Sequence, residues 1–168
     1  MGQTTDHLYE QAKALSPAPL RREMDMLLST GERVSMSLLA IALNDLGVRA
    51  VSYTGSQSGI ITCDGHSNAR ISEIKADRIL KSLEEGKVVI VAGFQGVSQK
   101  KEITPLGRGG SDTSAVALAV TLQAKGCEVF TDVDGVFSGD PRFLKKTRRL
   151  LFLRLCLMNC PTVYLTKQ

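Results

Sequence analysis

Residues 104–120, TPLGRGGSDTSAVALAV, place Gly107, Gly109 and Gly110 around Arg108, then pass through Ser111 and Asp112 into an apolar, Ala-rich stretch. Glycines let backbone N–H groups approach an anion closely. Ser and Asp are good helix caps, and a helix start adds partial positive charge. Arg108 supplies a planar fork suited to a carboxylate or a phosphate. The stretch matches neither G-x-x-x-x-G-K-[ST] nor the dinucleotide G-x-G-x-x-G pattern. Taken alone, an ordinary capped helix with a solvated arginine explains it equally well.

Two further segments bear on the same chemistry. In FTDVDGVFSGDPR, residues 130–142, Thr131 and Asp132 sit where a strand opens onto a ligand face, and Asp140-Pro141-Arg142 gives a turn with a second positive fork. A calcium loop is excluded, because no helix precedes it and position twelve is Phe143 where Glu is needed. In STGER, Ser29 and Glu32 have the spacing of a capping box that restarts a helix. The alternative aims Glu32 into a site, where its carboxylate binds an ammonium group. Pattern alone favours the cap.

The elements around these segments alternate. Residues 17–47 read as helix with a break in the middle, with Pro19 in its first turn, an apolar stripe at Leu27, Leu28, Val34, Leu38, Ile41, Ala42 and Leu46, and Gly47 as the stop. VRAVSY reads as a short strand and TGSQSG as a loop. Residues 70–86 carry Ile71, Ile74, Ile79 and Leu83 at mostly helical spacing, closed by Gly86. KVVIVAGFQG is an unalternating apolar strand of the kind a parallel sheet covered on both faces requires. SDTSAVALAVTLQAKG is the next helix and CEVFTDVDG the next strand. That alternation predicts an α/β fold, a three-layer α/β/α sandwich with a mainly parallel sheet. In such sheets ligands lie beyond the carboxyl ends of the strands.

Composition narrows the function classes. With 168 residues, 43% hydrophobic, the chain suits one globular domain with a real core. Aromatics make up 5% and Trp is absent, which argues against a base-stacking surface. Cys63, Cys127, Cys156 and Cys160 are too scattered for a disulfide scaffold, so reduced thiols in a cytoplasm are expected. The Cys156–Cys160 spacing lacks a second ligand pair, so no metal site is expected there. The net charge of +4 hides an asymmetry: from Pro141 onward there are seven Lys or Arg and no acid, which leaves 14 basic against 17 acidic residues before it. A nucleic-acid reading would rest on KKTRR alone, and such runs are usually a solvated face. The apolar end is too short, and interrupted by Arg154, to span a membrane.

In order, MDMLLSTGERVS, TGSQSGI, NARI, VIVAGFQG, LGRGGSDTSAVALA and TDVDGVFSGDPR resemble the aspartokinases of the amino acid kinase family, from about Met1 to Leu150. The resemblance implies transfer of the γ-phosphate of Mg-ATP to the β-carboxylate of L-aspartate, an early step of lysine, threonine and methionine biosynthesis. It implies Arg108, Ser111 and Asp112 as catalytic. It implies Glu32, Arg108, Gly109, Gly110 and Ser111 as substrate-binding, with Glu32 on the ammonium group. For the nucleotide it implies Ser111, Thr131, Asp132, Phe137 and Ser138, followed by Gly139, Asp140, Pro141 and Arg142. Mg2+ is expected to be held mainly through the phosphates, with no metal-ligating residues of the protein's own. A carboxylate nucleophile is already ionised at neutral pH, so the scarcity of histidines (His7 and His66) is no objection.

Departures from the family pattern set further expectations. The family's Lys-Phe-Gly-Gly-Thr-Ser phosphate loop has no counterpart here, Pro105 replaces a usual Thr, and Phe137 replaces a usual Tyr. Residues 1–150 are expected to be a partial kinase domain, and 151–168 an atypical basic and apolar tail, a candidate frameshifted end, with no ACT regulatory domains. The chain alone is expected to be weakly active or inactive, to associate into homo- or hetero-oligomers through exposed sheet edges, and to bind neither nucleic acid nor membrane. The competing readings are a kinase for another carboxylate or carbamate, and a non-catalytic fragment that binds nucleotide or a partner subunit.

Overall fold

The structure, a computed structural model, describes residues 4–107, 109–131, 136–138, 146–150, 152–153 and 162–167. It divides into two compact units, Met1–Ser114 and Ala115–Gln168.

The first unit begins with α1 (Thr4–Leu15), α2 (Arg21–Leu28) and α3 (Thr30–Asp45). Then come β1 (Ala50–Tyr53), β2 (Ile60–Thr62), β3 (Ile71–Ile74), α4 (Asp77–Glu84), β4 (Val88–Val91), β5 (Gln95–Ser98), β6 (Ile103–Pro105) and the start of α5 (Gly110–Thr121). The expected parallel pairing is present, with β1 beside β4 in register from Ala50↔Val88 to Tyr53↔Val91. α3 packs on both strands and α4 on β4, which explains the uninterrupted apolar run of β4. Pro19 lies ahead of α2, whose N-cap is Leu20.

Three expectations need correction. Ile71 and Ile74 lie on a strand, not a helix. β3 pairs antiparallel with β2 as Ile60↔Ile74, Ile61↔Glu73 and Thr62↔Ile71, with a bulge that leaves Ser72 over. That extra residue puts two isoleucines three positions apart opposite Ile60 and Thr62, which share the buried face. A bulge therefore imitates helical spacing.

Second, KVVIVAGFQG is not one strand. It breaks after Val91, and Phe94 takes a left-handed φ of +66° before β5 begins. β5 joins a four-stranded sheet of order β3-β2-β5-β6, in which only β2 and β5 run parallel. The first unit is thus α/β with one parallel and one mixed sheet.

Third, the stripe drawn along α3 is not its buried face. Met36 and Ala40 are buried, whereas Val34, Leu38, Ile41 and Leu46 are exposed, Ile41 to 65%. Met36 and the small Ala40, four positions apart, form the buried face of α3. By length and composition, Arg21–Asp45 would suffice to cross a membrane. The packing of α2 on β6 and of α3 on β1 and β4 accounts for one side of it.

In the second unit, β7 (Gly126–Thr131) runs parallel to β11 (Thr162–Lys167), which also pairs antiparallel with β10 (Phe152–Leu153). β8 (Val136–Phe137) pairs antiparallel with β9 (Arg149–Leu150).

The loop from Cys63 to Arg70 closes on itself, with Cys63 N–H donating to Arg70 O at 3.0 Å and Arg70 N–H to Cys63 Sγ at 3.2 Å. The Arg70 N–H, then that of Gly65, holds the exposed Cys63 thiol below the usual cysteine range. Cys63 should alkylate faster at neutral pH than an unstructured peptide thiol. Timed iodoacetamide labelling read by peptide mass spectrometry checks this, and equal rates would contradict it.

Candidate functional site

Glu32 lies in the first turn of α3, where the sequence favoured a capping box. No such box forms. Ser29 makes no side-chain cap, and its backbone is helical (φ −65°, ψ −13°) because the chain passes almost directly from α2 into α3. Its hydroxyl instead donates back to Met26 O at 2.8 Å. An N-cap residue needs an extended backbone to aim its oxygen at the N–H groups ahead, and Ser29 lacks one.

The Glu32 carboxylate is therefore not engaged in a capping box with Ser29. It is half-buried, and its Oε2 is enclosed without a hydrogen-bond partner among the described residues. Burial pushes its carboxyl above the ordinary glutamate range. A buried acceptor left unpaired is costly, and a cationic donor would satisfy it.

The glycine stretch also differs in detail from its reading. Gly107 and Gly109 both have left-handed φ, +79° and +71°. The helix starts at Gly110, two residues earlier than a Ser111 cap would place it, so Ser111 and Asp112 sit exposed within the first turn. The first-turn N–H groups of a helix have no intrahelical acceptors. Here Gly110 N–H is taken by Gly107 O and Thr113 N–H by Gly109 O, so the N–H groups of Ser111 and Asp112 are the ones that the first turn offers an anion beside a glycine backbone.

A segment that the sequence showed only as the end of a strand and a family motif, residues 93–95, ties these two places together. Gly93 lies under the helix start, where an added Cβ would come within 3.2 Å of Ser111 Cα. Phe94 N–H donates to Ser114 Oγ at 3.1 Å, and Ser114 Oγ donates to Gly110 O at 2.7 Å. Phe94 O accepts from Leu106 N–H at 2.7 Å. The next residue, the buried Gln95, donates from Nε2 to Ser29 O at 3.0 Å and accepts from Arg33 Nε at 3.4 Å. Residues 93–95 thus hold the first turn of α5 with one end and the α2–α3 junction beside Glu32 with the other. Nothing in GFQG announces that role, because a left-handed phenylalanine cannot be read from sequence.

Glu32, Gly109, Gly110, Ser111 and Asp112 all belong to the first unit. Thr131 ends β7, Phe137 lies in β8, and Ser138 follows it, its backbone N–H on Arg148 O at 2.9 Å and its hydroxyl accepting Arg148 N–H at 3.0 Å. These belong to the second unit. Arg108, Asp132, Gly139, Asp140, Pro141 and Arg142 lie outside the described residues.

Comparison with known proteins shows what the chain is similar to. The model of the amino acid kinase family matches residues 1–153. The aspartokinase of Bacillus sp. (strain MGA3) is 58% identical over 150 residues, 89% of this chain and 36% of that protein. Among solved structures, aspartate kinase from Synechocystis superposes with a TM-score of 0.69 at 51% identity, covering 88% of this chain and 24% of that one. E. coli aspartokinase III in complex with aspartate and ADP gives 0.71 at 31% identity, covering 89% and 34%. The chain thus spans about a third of the length of the curated relatives it matches.

Proposed function

Because the chain belongs to the amino acid kinase family, we propose that it carries the aspartate-binding part of an aspartokinase, the enzyme class that phosphorylates the β-carboxylate of L-aspartate with ATP. The observation that carries this reading is Glu32: an enclosed carboxylate oxygen with no hydrogen-bond partner among the described residues, beside an α2–α3 junction that Gln95 and Phe94 link to the glycine-framed start of α5. Ammonium at Glu32 and carboxylate at the glycine stretch describe an amino acid.

In this reading Glu32 holds the substrate ammonium, and Arg108 with the amides around Gly109 and Gly110 holds and orients its carboxylates. The β-carboxylate oxygen attacks the γ-phosphorus as the bond to the β-phosphate oxygen breaks, giving β-aspartyl phosphate and ADP. No proton has to be removed from the nucleophile, so the protein supplies positioning and positive potential. Ser111 and Asp112 stand at the meeting point of substrate and phosphates, while Thr131, Asp132, Phe137, Ser138, Gly139, Asp140, Pro141 and Arg142 form the nucleotide segment. Among the described residues no three His, Cys, Asp or Glu side chains converge as a metal cluster. In the same reading Mg2+ would be held mainly through the phosphates, where it would neutralise charge.

A thermal-shift panel tests the reading, since a ligand bound only by the folded state raises Tm. L-Aspartate should raise it. Succinate, which lacks the ammonium group, and L-glutamate should raise it far less at equal concentration. A larger shift with glutamate or N-acetylglutamate would move the assignment to another carboxylate kinase.

Glu32 also sets a pH dependence. Its raised pKa means the folded, ligand-free protein holds a proton that the unfolded chain has lost, so Glu32 lowers stability as pH rises through that window. Aspartate needs the ionised form, so affinity should rise with pH over the same window. Opposite trends in Tm and affinity are expected as wild-type minus Glu32→Gln differences. Parallel trends, or an unchanged affinity profile in Glu32→Gln, would contradict the role.

A further inference from the structure

We propose that Asp25 and His66 are positioning residues for the glycine stretch: a buried carboxylate on α2 fixes the turn at His66–Asn68, and Gly107 rests against that turn. The inference builds on the reading of Gly107–Gly110 as a substrate loop. Asp25 is 1% exposed. Its Oδ2 accepts from His66 Nδ1 at 2.6 Å and from Ser67 N–H at 3.2 Å, and its Oδ1 accepts from Ser67 Oγ at 3.2 Å. All three donors lie in the loop between β2 and β3, more than 40 positions along the chain.

Two features distinguish this from ordinary packing. Burying a carboxylate is a poor route to stability, since an apolar replacement of similar volume often serves as well or better. The group therefore earns its place by geometry. Ser67, moreover, has a left-handed φ of +64°, a conformation a non-glycine residue holds only where its surroundings over-determine it. The two bonds from Asp25 to Ser67, one to its backbone and one to its hydroxyl, supply that constraint.

The turn so fixed is the surface behind the glycine stretch. A Cβ on Gly107 would come within 2.9 Å of Asn68 Oδ1 and 3.5 Å of Ser67 O. Ala69 N–H donates to Pro105 O at 2.9 Å, which pins the register two residues before Gly107. A shift of Ser67 and Asn68 therefore carries Gly107 with it, and Gly107 directly precedes Arg108. Phe94 and Ser114 hold the other end of the stretch, at Leu106 and Gly110. The imidazole acts through its Nδ1 contact to Asp25, and among the described residues it has no hydrogen bond to the glycine stretch.

Hydrogen–deuterium exchange of the 168-residue chain tests this without ligand. Leu106 N–H and Gly110 N–H are both hydrogen-bonded, to Phe94 O and Gly107 O, so their exchange reports the loop. In His66→Ala and Asp25→Asn these amides should exchange about tenfold faster, and in His66→Asn, which keeps a short N–H donor, within about threefold of wild type. Ile79→Ala is the control for general destabilisation, because Ile79 is 2% exposed in α4. It should lower Tm while leaving the order of exchange unaltered. Unchanged exchange in both pair variants, or equal acceleration in Ile79→Ala, overturns the proposal. Aspartate titration is a separate arm: affinity should fall in His66→Ala and recover in His66→Asn. If wild type binds no aspartate while the exchange pattern holds, the substrate reading falls and the positioning pair stands.

Discussion

Gly59→Ala should unfold the first unit. Gly59 closes the turn between β1 and β2 with φ +76°, and a Cβ there would lie 2.0 Å from Lys75 O and 2.8 Å from Lys75 C. Both are backbone atoms, held by the bond from Lys75 N–H to Gly59 O at 3.0 Å, so no side chain can swing aside. The left-handed conformation costs alanine about 1–2 kcal/mol. Relieving the overlap must also pull β3 from its place beside β2. The loss should exceed about 4 kcal/mol, most of the stability of a small domain. Gly47→Ala isolates the first cost, because Gly47 has φ +79° with nothing within 4 Å of its added Cβ. Thermal or urea denaturation decides between them. A Gly59→Ala midpoint no lower than that of Gly47→Ala would contradict the packing described.

Arg108→Ala should have the largest effect on binding. Arg108 stands between Gly107 and Gly109, whose left-handed backbones suit glycine, and in the proposed reading it is the partner of a substrate carboxylate. Losing one partner of a desolvated, hydrogen-bonded charge pair costs about 2–5 kcal/mol, so aspartate affinity should drop by about 30-fold or more. Arg108→Lys keeps the charge and loses the fork, and should recover only part of it. Glu32→Gln, which still accepts a hydrogen bond from an ammonium group, should cost less than Arg108→Ala. Calorimetry on all three orders the effects. An Arg108→Ala loss smaller than that of Glu32→Gln would contradict the assignment.

Where the sequence could be read, the physics was local. Gly107, Gly109 and Gly110 marked a backbone free to approach an anion ahead of a helix, and in the structure Gly107 and Gly109 take positive φ while Gly110 starts the helix. β1, β4, α5 and β7 follow their apolar runs, and the ordered motifs carried the family before any coordinates did. The misreadings came where a distant partner set the outcome. Ile71 and Ile74 look helical until β2 imposes a bulge on them. Ser29 looks like a cap until the nearly continuous α2–α3 passage makes its backbone helical. Val34, Leu38 and Ile41 look like core until Met36 and Ala40 take the buried face. Asp25 and His66, far apart in the chain, carry no pattern that links them. Each contact depends on tertiary packing, which no window of sequence contains.

The measurement closest to the central claim is isothermal titration of the 168-residue chain with L-aspartate, for wild type and Arg108→Ala, at a pH above the Glu32 titration. The account predicts saturable one-to-one binding by wild type and none detectable by Arg108→Ala at the same concentrations. Absence of binding by folded wild-type protein, or equal binding by both, would contradict it.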